Sequence, residues 1–333
     1  MNMSVVAPLL QVNAARRQNW MPVWVRGHAR LLAVVALLLL LAVIGSFFNA
    51  RFRDVGNFQN VYEQSVGLAL VSLGQTAVIL TGGIDLSVGS LISLLSVLTS
   101  GLIDGHPERV AVVIGGVLLL GLLIGMLNGL LTIWLGVHPL IVTLGTGAIL
   151  QGITLLYSSD AAGSVPPGFE DFAYGRIWGL PVGASLTLLF FLLAAFVLRR
   201  TRHGRYVYAV GGDPHAAALL GLPVRRVLVV AYGFCGLCAA VTALYVVSRF
   251  GVGQPYTGAN YTLASITPVV IGGTVLAGGR GGVIGTLLGV YLIALLNNLL
   301  NFMDVSSHYQ LVIQGLVVVV AVSSFTNSHA KRS

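Results

Sequence analysis

Long apolar runs alternate with short polar gaps along almost the whole chain. A helix needs about 20 mostly apolar residues to cross a bilayer. Several runs are short or are interrupted by Gly and Pro, so we expect about 8–10 crossings. The pattern predicts an all-α polytopic membrane protein that contains broken helices. The candidate runs are 31–48, 66–80, 86–103, 110–136, 139–157, 180–198, 227–247, 263–277, 283–303 and 309–325.

Composition agrees with a protein that is embedded in lipid. The chain has 333 residues, of which 56% are hydrophobic and 8% are charged, whereas a soluble domain carries about 25% charged residues. The lipid bilayer is therefore the expected surroundings. The net charge of +8 could suggest nucleic acid, but the basic residues lie in the gaps between apolar runs, as a membrane protein requires. We expect no nucleic-acid partner.

The positions of Arg and Lys predict the orientation. With the N-terminus inside and ten crossings, thirteen basic residues lie on the inner side and five on the outer side. The positive-inside rule therefore favours both termini inside. The first apolar run lacks a small-residue cleavage site and is predicted to be a retained span. The expected organisation is a cytoplasmic tail (1–30), a single transmembrane permease domain (31–325) and a second cytoplasmic tail (326–333).

Two glycines and a carboxyl group stand between apolar runs in the stretch LTGGIDLSVGS, residues 80–90. A charged side chain at the bilayer centre costs about 2.5–3.5 kcal/mol on insertion scales. Gly82 and Gly83 allow the chain to turn or break. Asp85, with Ser87 beside it, can accept free N–H groups at the start of the next helix. The pattern favours a capped helix break over the alternative, a proton relay.

A basic segment, 199–226, is predicted on the inner side and holds six Arg. A Gly-Gly turn precedes Asp213 as the N-cap of a short helix, with Pro214 at its first position and Gly221 as its stop. Small alanines on such a helix suit insertion into a cleft. The residues leave two interpretations open: a basic loop at anionic lipid or a helix on which a cytoplasmic partner docks. The candidate residues are Gly211, Gly212, Asp213, Pro214, Ala216, Ala217, Leu220 and Gly221.

Amide and hydroxyl side chains are scattered inside the apolar runs. They can join helices through hydrogen bonds worth about 0.6–2 kcal/mol, or they can line a path for a neutral, hydroxyl-rich solute. An ionic solute would require charged side chains, which these positions lack. The candidates for a translocation path are Gln75, Thr76, Asn128, Thr143, Asn297 and Asn298.

Motifs for catalysis are missing from the sequence. No H-E-x-x-H, Walker A or G-x-S-x-G pattern occurs, and GGRGG at 278–282 lacks the Lys-Ser/Thr of a phosphate-binding loop. Cys235 and Cys238 have no His or Cys nearby and are expected to be packing residues. We expect no enzyme activity, no metal and no cofactor. Asp85 is the one acidic residue deep in a run, which disfavours an ion-coupled transporter.

Three segments occur in the order AVILTGGIDLSVGSLISL, GRYVYAVGGDPHAAALLGLPVRRV and VVIGGTVLAGGRGGVIGTLLGVYLIALLNNLLNFMDVSSHYQLVIQG. Together they resemble the ribose-type ABC transporter permeases, the membrane subunits of bacterial sugar importers. The similarity extends from about residue 58 to residue 322. Asp213, Leu220 and Gly82 stand where that family commonly has Asn, Ser and Ser. Leu220 changes the surface offered to a partner, so a ribose-system ATPase is not assumed to fit.

The resemblance implies partners and a location. Two permeases, either two copies or a copy and a paralogue, would form one path in the bacterial inner membrane. Cytoplasmic ABC ATPase subunits would dock on the short helix and would hydrolyse the ATP. A periplasmic sugar-binding protein would deliver a neutral monosaccharide, ribose or a related sugar. The alternative function is a stand-alone secondary transporter of a small polar solute.

Overall fold

The computed structural model describes residues 23–306, 308–310, 312–313 and 315–316, with side chains from residue 31 onward. The predicted tails lie outside the described residues, apart from 23–30, and so does most of the run 309–325. The described α-helices are α1 (Val23–Phe48), α2 (Val55–Gln64), α3 (Val66–Leu80), α4 (Val88–Ile103), α5 (Val110–Leu135), α6 (Pro139–Tyr157), α7 (Asp171–Tyr174), α8 (Val182–Arg200), α9 (Arg202–Gly212), α10 (Pro214–Leu219), α11 (Val224–Phe250), α12 (Ala259–Ala264), α13 (Ile266–Ile271) and α14 (Val283–Phe302). Single 3₁₀ turns occupy Ala50–Arg53 and Pro107–Arg109. An antiparallel hairpin, β1 (Arg176–Ile177) and β2 (Leu180–Pro181), lies between α7 and α8.

The helices confirm the predicted all-α polytopic fold. Within the described residues, six helical segments are long and apolar enough to cross a membrane. A seventh span results if α2 and α3, which are bent by 46° relative to each other, count as one. α4 and the pair α12–α13 are shorter apolar helices. The runs 86–103 and 263–277 therefore form short elements, and the total number of crossings stays a prediction.

α11 is the central helix and packs against α3, α4 and α5. Its contact with α5 runs through glycines spaced four residues apart, where the two backbones meet. A Cβ on Gly125 would overlap the carbonyl of Tyr232, and one on Gly121 would lie 2.7 Å from the Gly236 carbonyl oxygen. The glycines of α5 thus allow close packing against α11.

The peripheral helices present apolar side chains to the surroundings. Because no other described part of the chain covers these side chains, they suit contact with lipid or with a second copy. Examples with 61–89% exposure on α1, α5, α6 and α8 are Leu39, Val112, Trp134, Leu156 and Phe196.

Two breaks interrupt the core at the same end of the bundle. Residues 81–87 separate α3 from α4, and residues 272–282 separate α13 from α14. Gly82 and Gly278 have φ values of +84° and +89°, a backbone region that glycine adopts without strain. The first break follows α3 and the second break precedes α14. These two helices lie side by side.

Candidate translocation path and docking helix

A cavity of about 320 Å³ opens between α2, α3, α12, α13 and α14. It lies where helices bend or break: at Ser65 between α2 and α3, and beside the α12–α13 junction. Ser65 and Ser265 each donate a hydroxyl hydrogen bond to a carbonyl three residues back, Tyr62 at 2.8 Å and Thr262 at 3.0 Å. These bonds serve main-chain groups near the bends. The polar residues of the lining are Gln64, Ser65, Asn260, Tyr261, Thr267, Asn297, Asn298 and Gln310.

The cavity wall is polar but uncharged. Val61, Leu68, Ile293 and two alanines complete the lining, and none of the lining residues is Asp, Glu, Lys, Arg or His. The Asn298 amide exchanges two hydrogen bonds with Asn57, at 2.9 and 3.0 Å, which holds α14 against α2. Amides and hydroxyls over an apolar base are groups that recognise neutral polyhydroxylated molecules.

Asp85 is fully buried in the break between α3 and α4. Its Oδ1 accepts the backbone N–H of Ser87 at 2.9 Å and the Ser87 hydroxyl at 2.6 Å. Asn128 Nδ2 on α5 donates to the same Ser87 oxygen at 2.8 Å. The Gln75 carboxamide on α3 faces the main chain of Asp85, with 3.2 Å to its N–H and 3.2 Å to its carbonyl oxygen. The predicted cap is corrected in one respect: the N-cap of α4 is Ser87, without a side-chain cap bond, so the Asp85 bonds lie within the break. The break is braced from α3 through Gln75 and from α5 through Asn128.

The six polar residues predicted for a path fall into two groups. Asn297 and Asn298 line the cavity. Thr143 on α6 donates to the Ile84 carbonyl at 3.3 Å. It therefore contacts the same break that Gln75 and Asn128 hold. Thr76 shares a 2.8 Å hydrogen bond with Thr286 and joins α3 to α14. The structure thus places Thr76 in a helix–helix contact and Gln75, Asn128 and Thr143 in contacts with the break, outside the cavity lining. Their role in a path stays a prediction.

Gly82 and Gly83 in the break are glycine for different structural reasons. Gly82 has a positive φ. A Cβ on Gly83 would lie 2.5 Å from the Tyr232 hydroxyl, which itself donates to the Ile84 carbonyl at 3.4 Å. The break therefore fits closely against α11.

The short helix α10 begins at Pro214 and ends at Leu219. Asp213 is extended, and its Oδ1 accepts the N–H groups of His215 at 2.9 Å and Ala216 at 3.0 Å. Gly221, with φ +74°, follows the helix. The predicted Gly-Gly turn is wrong. Gly211 and Gly212 are the last residues of α9, and the chain turns at Asp213 because its extended backbone and capping side chain start the new helix.

Exposure divides the residues of the docking segment into two sets. Gly211 is buried and Ala217 is 2% exposed, and Ala217 packs with Leu80 and Val210 against the bundle. Ala216 is exposed, and Leu219 and Leu220 are 77% and 79% exposed. The outward surface therefore includes Ala216 and the two leucines, beside the exposed Pro214, His215 and Ala218. Leu219 escaped the sequence prediction, although its apolar side chain beside Leu220 was the available signal.

A family model described as the permease component of a branched-chain amino acid transport system matches residues 57–322. The chain belongs to this permease family. The ribose import permease of Bacillus subtilis (strain 168) is 41% identical to it over 288 residues, which are 86% of this chain and 89% of that protein. The D-allose transport system permease of Escherichia coli (strain K12) is 35% identical over 289 residues, 86% of this chain and 88% of that protein. The autoinducer 2 import system permease of Escherichia coli (strain SMS-3-5 / SECEC) is 34% identical over 310 residues, 90% of this chain and 93% of that protein.

No solved structure matches the permease. The family and the apolar helices together make it a multi-pass protein of the bacterial inner membrane.

The segment GGRGG at 278–282 contacts both the end of α3, where the first break begins, and α9, which precedes the short helix α10. The Gly279 N–H donates to the Leu80 carbonyl at 3.0 Å, and the Tyr208 hydroxyl on α9 donates to the Gly281 carbonyl at 3.0 Å. Burial raises the pKa of Tyr208 above its usual value of 10.0, so the hydroxyl stays a neutral donor. The residues of GGRGG exclude a phosphate loop, and they reveal no other role in the sequence because the partners of this segment are distant in the chain.

Proposed function

We propose that the permease, paired with a second permease copy or a paralogue, moves a neutral monosaccharide across the inner membrane. A cytoplasmic ABC ATPase supplies the energy and a periplasmic sugar-binding protein supplies the solute. The observation that carries this proposal is the cavity, whose lining offers amides and hydroxyls and no charge. Hydrogen-bonding groups of this kind match the hydroxyls of a sugar, whereas an ionic solute would be left without a counter-charge.

The names of the relatives support the same class of solute. Two of them are named for ribose import and for D-allose transport, and both of these sugars are neutral aldoses. The family description names amino acids instead, which carry charge at both ends. The uncharged cavity favours the sugar.

The outward surface of α10 supports docking of the ATPase. Leu219 and Leu220 are more than three-quarters exposed, and the Asp213 cap holds the start of their helix. Large apolar side chains on a rigid element are suited to fill a pocket of a partner protein. ATP-driven closure of the docked ATPase subunits then moves α10 and alternates the access of the cavity between the two sides of the membrane.

A stand-alone secondary transporter receives no support from the described residues. Such a transporter needs a titratable or charged group that faces its path. Asp85 is instead enclosed, and its Oδ1 is occupied by Ser87. Asp85 is also separated from the cavity by the length of α3. This helix has 15 residues between the bend at Ser65, which lines the cavity, and the break that contains Asp85, a length of about 22 Å.

The cavity is tested by filling it. Ala294 lines the cavity, and Ala148 lies exposed on α6. Each is replaced by Trp in cells that produce the permease with its cognate ATPase and binding protein. The labelled solute is whichever of ribose and D-allose raises the melting temperature of the binding protein. We expect Ala294→Trp to abolish uptake and Ala148→Trp to retain it. Normal uptake by a correctly inserted Ala294→Trp permease would show that this cavity is not the path.

A further inference from the structure

The last turn of α9 touches the break at the end of α3 by backbone alone. A Cβ on Gly211 would overlap the carbonyl oxygen of Leu80 and would lie 2.6 Å from the nitrogen of Gly279. The next residue, Gly212, has open space where a Cβ would be. Both main chains lie close to the second break, since a Cβ on Gly279 would be 2.8 Å from the Gly212 nitrogen. The lack of room for a Cβ is therefore specific to Gly211.

The second break closes the same contact from its own side. A Cβ on Gly278 would lie 2.7 Å from both the Gly211 carbonyl oxygen and the Gly82 nitrogen. The Gly279 N–H donates to the Leu80 carbonyl at 3.0 Å. Three chain segments that are far apart in sequence thus meet through main-chain atoms. We call this contact of Gly211, Leu80 and Gly279 the glycine joint.

The glycine joint lies between the docking helix and the helices of the cavity. On one side, Ala217 of α10 packs in the same apolar cluster as Leu80 and Val210. On the other side, α3 ends at Leu80 and α14 begins at Val283, shortly after the second break. Asn297 and Asn298, which line the cavity, lie on α14 about 22 Å from its first residue, at a rise of 1.5 Å per residue. The joint is therefore placed to connect α10 with both helices.

The absence of side chains at the glycine joint has a mechanical consequence. A contact through long side chains can absorb a displacement by rotamer changes, whereas close-packed main chains move together or separate. Small shifts at a docking site reach distant elements through such rigid contacts. Tyr208, bonded to the Gly281 carbonyl at 3.0 Å, adds one hydrogen bond to the same connection.

We propose that the glycine joint is the connection through which movement of the docked α10 helix is transmitted to α3 and α14. This inference rests on the proposed function, because it assumes that an ATPase docks on α10. Gly211, Gly279 and Tyr208 are then positioning residues that set how much solute is moved for each ATP hydrolysed. They touch neither the solute nor the nucleotide.

The test measures coupling in the complete transporter, reconstituted in vesicles with its ATPase and binding protein. Three quantities are recorded: the ATPase that co-purifies, the ATP hydrolysed, and the labelled ribose or D-allose taken up. We expect Gly211→Ala to retain ATPase and hydrolysis and to lower uptake per ATP by about tenfold, within the range typical of coupling between sites. Gly145→Ala on α6, where a Cβ meets nothing within 4 Å, is the matched control and should resemble the unmodified permease.

Two further variants, Gly212→Ala and Tyr208→Phe, test whether the close contact itself is responsible for a loss of coupling. Gly212→Ala should couple clearly better than Gly211→Ala, and an equal loss would overturn the proposal because the close contact would then be irrelevant. If Gly211→Ala does not assemble, Tyr208→Phe decides. It removes one hydrogen bond without adding an atom and should lower uptake per ATP by about two- to fivefold; unchanged coupling contradicts the joint. Failure of the unmodified permease to bind the ATPase would instead refute the proposed function.

Discussion

Replacing Asp85 by Asn and by Leu separates its hydrogen bonds from its charge. Asp85 Oδ1 accepts the Ser87 N–H at 2.9 Å and the Ser87 hydroxyl at 2.6 Å. Asn has the shape of Asp and keeps an acceptor oxygen at the same position. Leu has a similar size but offers no acceptor. Asp85 Oδ2 has no hydrogen-bond partner among the described residues, so the amide group of Asn displaces no bond there.

The expected magnitudes follow from these bonds. A buried polar group that loses its partner costs about 1–3 kcal/mol. Asp85→Leu leaves the Ser87 N–H without its acceptor and breaks the chain of bonds from Asn128 through the Ser87 hydroxyl. We expect the free energy of unfolding to fall by about 3 kcal/mol. Asp85→Asn only weakens two bonds, so its loss should be about 1 kcal/mol.

The two variants are compared by thermal unfolding of the permease in detergent and by uptake in cells. Asp85→Asn should keep most uptake and lose little thermal stability. Asp85→Leu should unfold at a clearly lower temperature and lose most uptake. If Asn were as damaging as Leu, the carboxyl group would act through its charge or its proton, as in a relay. If both variants behaved like the unmodified permease, the capping account of the break would be wrong.

Other predictions concern the docking surface, the core and the cavity. Leu220→Ser should weaken co-purification of the ATPase by about tenfold, because an exposed apolar contact is lost, while the melting temperature stays unchanged; retained binding would exclude Leu220 from the interface. Gly125→Ala should lower the melting temperature, because its Cβ would overlap the Tyr232 carbonyl. Gly116→Ala, which meets open space, should leave it equal or slightly higher, and equal melting of the two variants would contradict the close α5–α11 contact. Asn260→Leu should lower uptake by about tenfold through loss of a polar group in the cavity, with normal insertion; full uptake would show that Asn260 does not face the solute.

Local features were predicted from the sequence where local chemistry decides them. The Asp213 cap, Pro214 at the first helical position and the Gly221 stop follow from rules that span a few residues. The Asp85–Ser87 hydrogen bonds are equally local, but they form a turn that ends at the N-cap Ser87 and do not cap α4 itself. Each of these features depends on atoms only a few positions apart.

Features that depend on distant segments escaped prediction. Gly211 resembled a turn glycine, but its reason is contact with Leu80 and Gly279, which are remote in the chain. The contacts of Gln75 and Asn128 with the break could not be predicted, because an amide in an apolar run looks the same whether it faces a solute or another part of the chain. Gln64 and Asn260 of the cavity were not predicted, because they lie just outside the apolar runs 66–80 and 263–277.

The central claim is that this permease provides a path and a docking helix and takes its energy from a separate ATPase. Vesicles that contain the purified permease, alone or with its ATPase, are given the sugar-loaded binding protein and ATP, and entry of the labelled sugar is measured. The account predicts concentrative uptake only when permease, ATPase, binding protein and ATP are all present, and its loss when α10 cannot bind the ATPase. Concentrative uptake by the permease alone, abolished by an uncoupler, would contradict it.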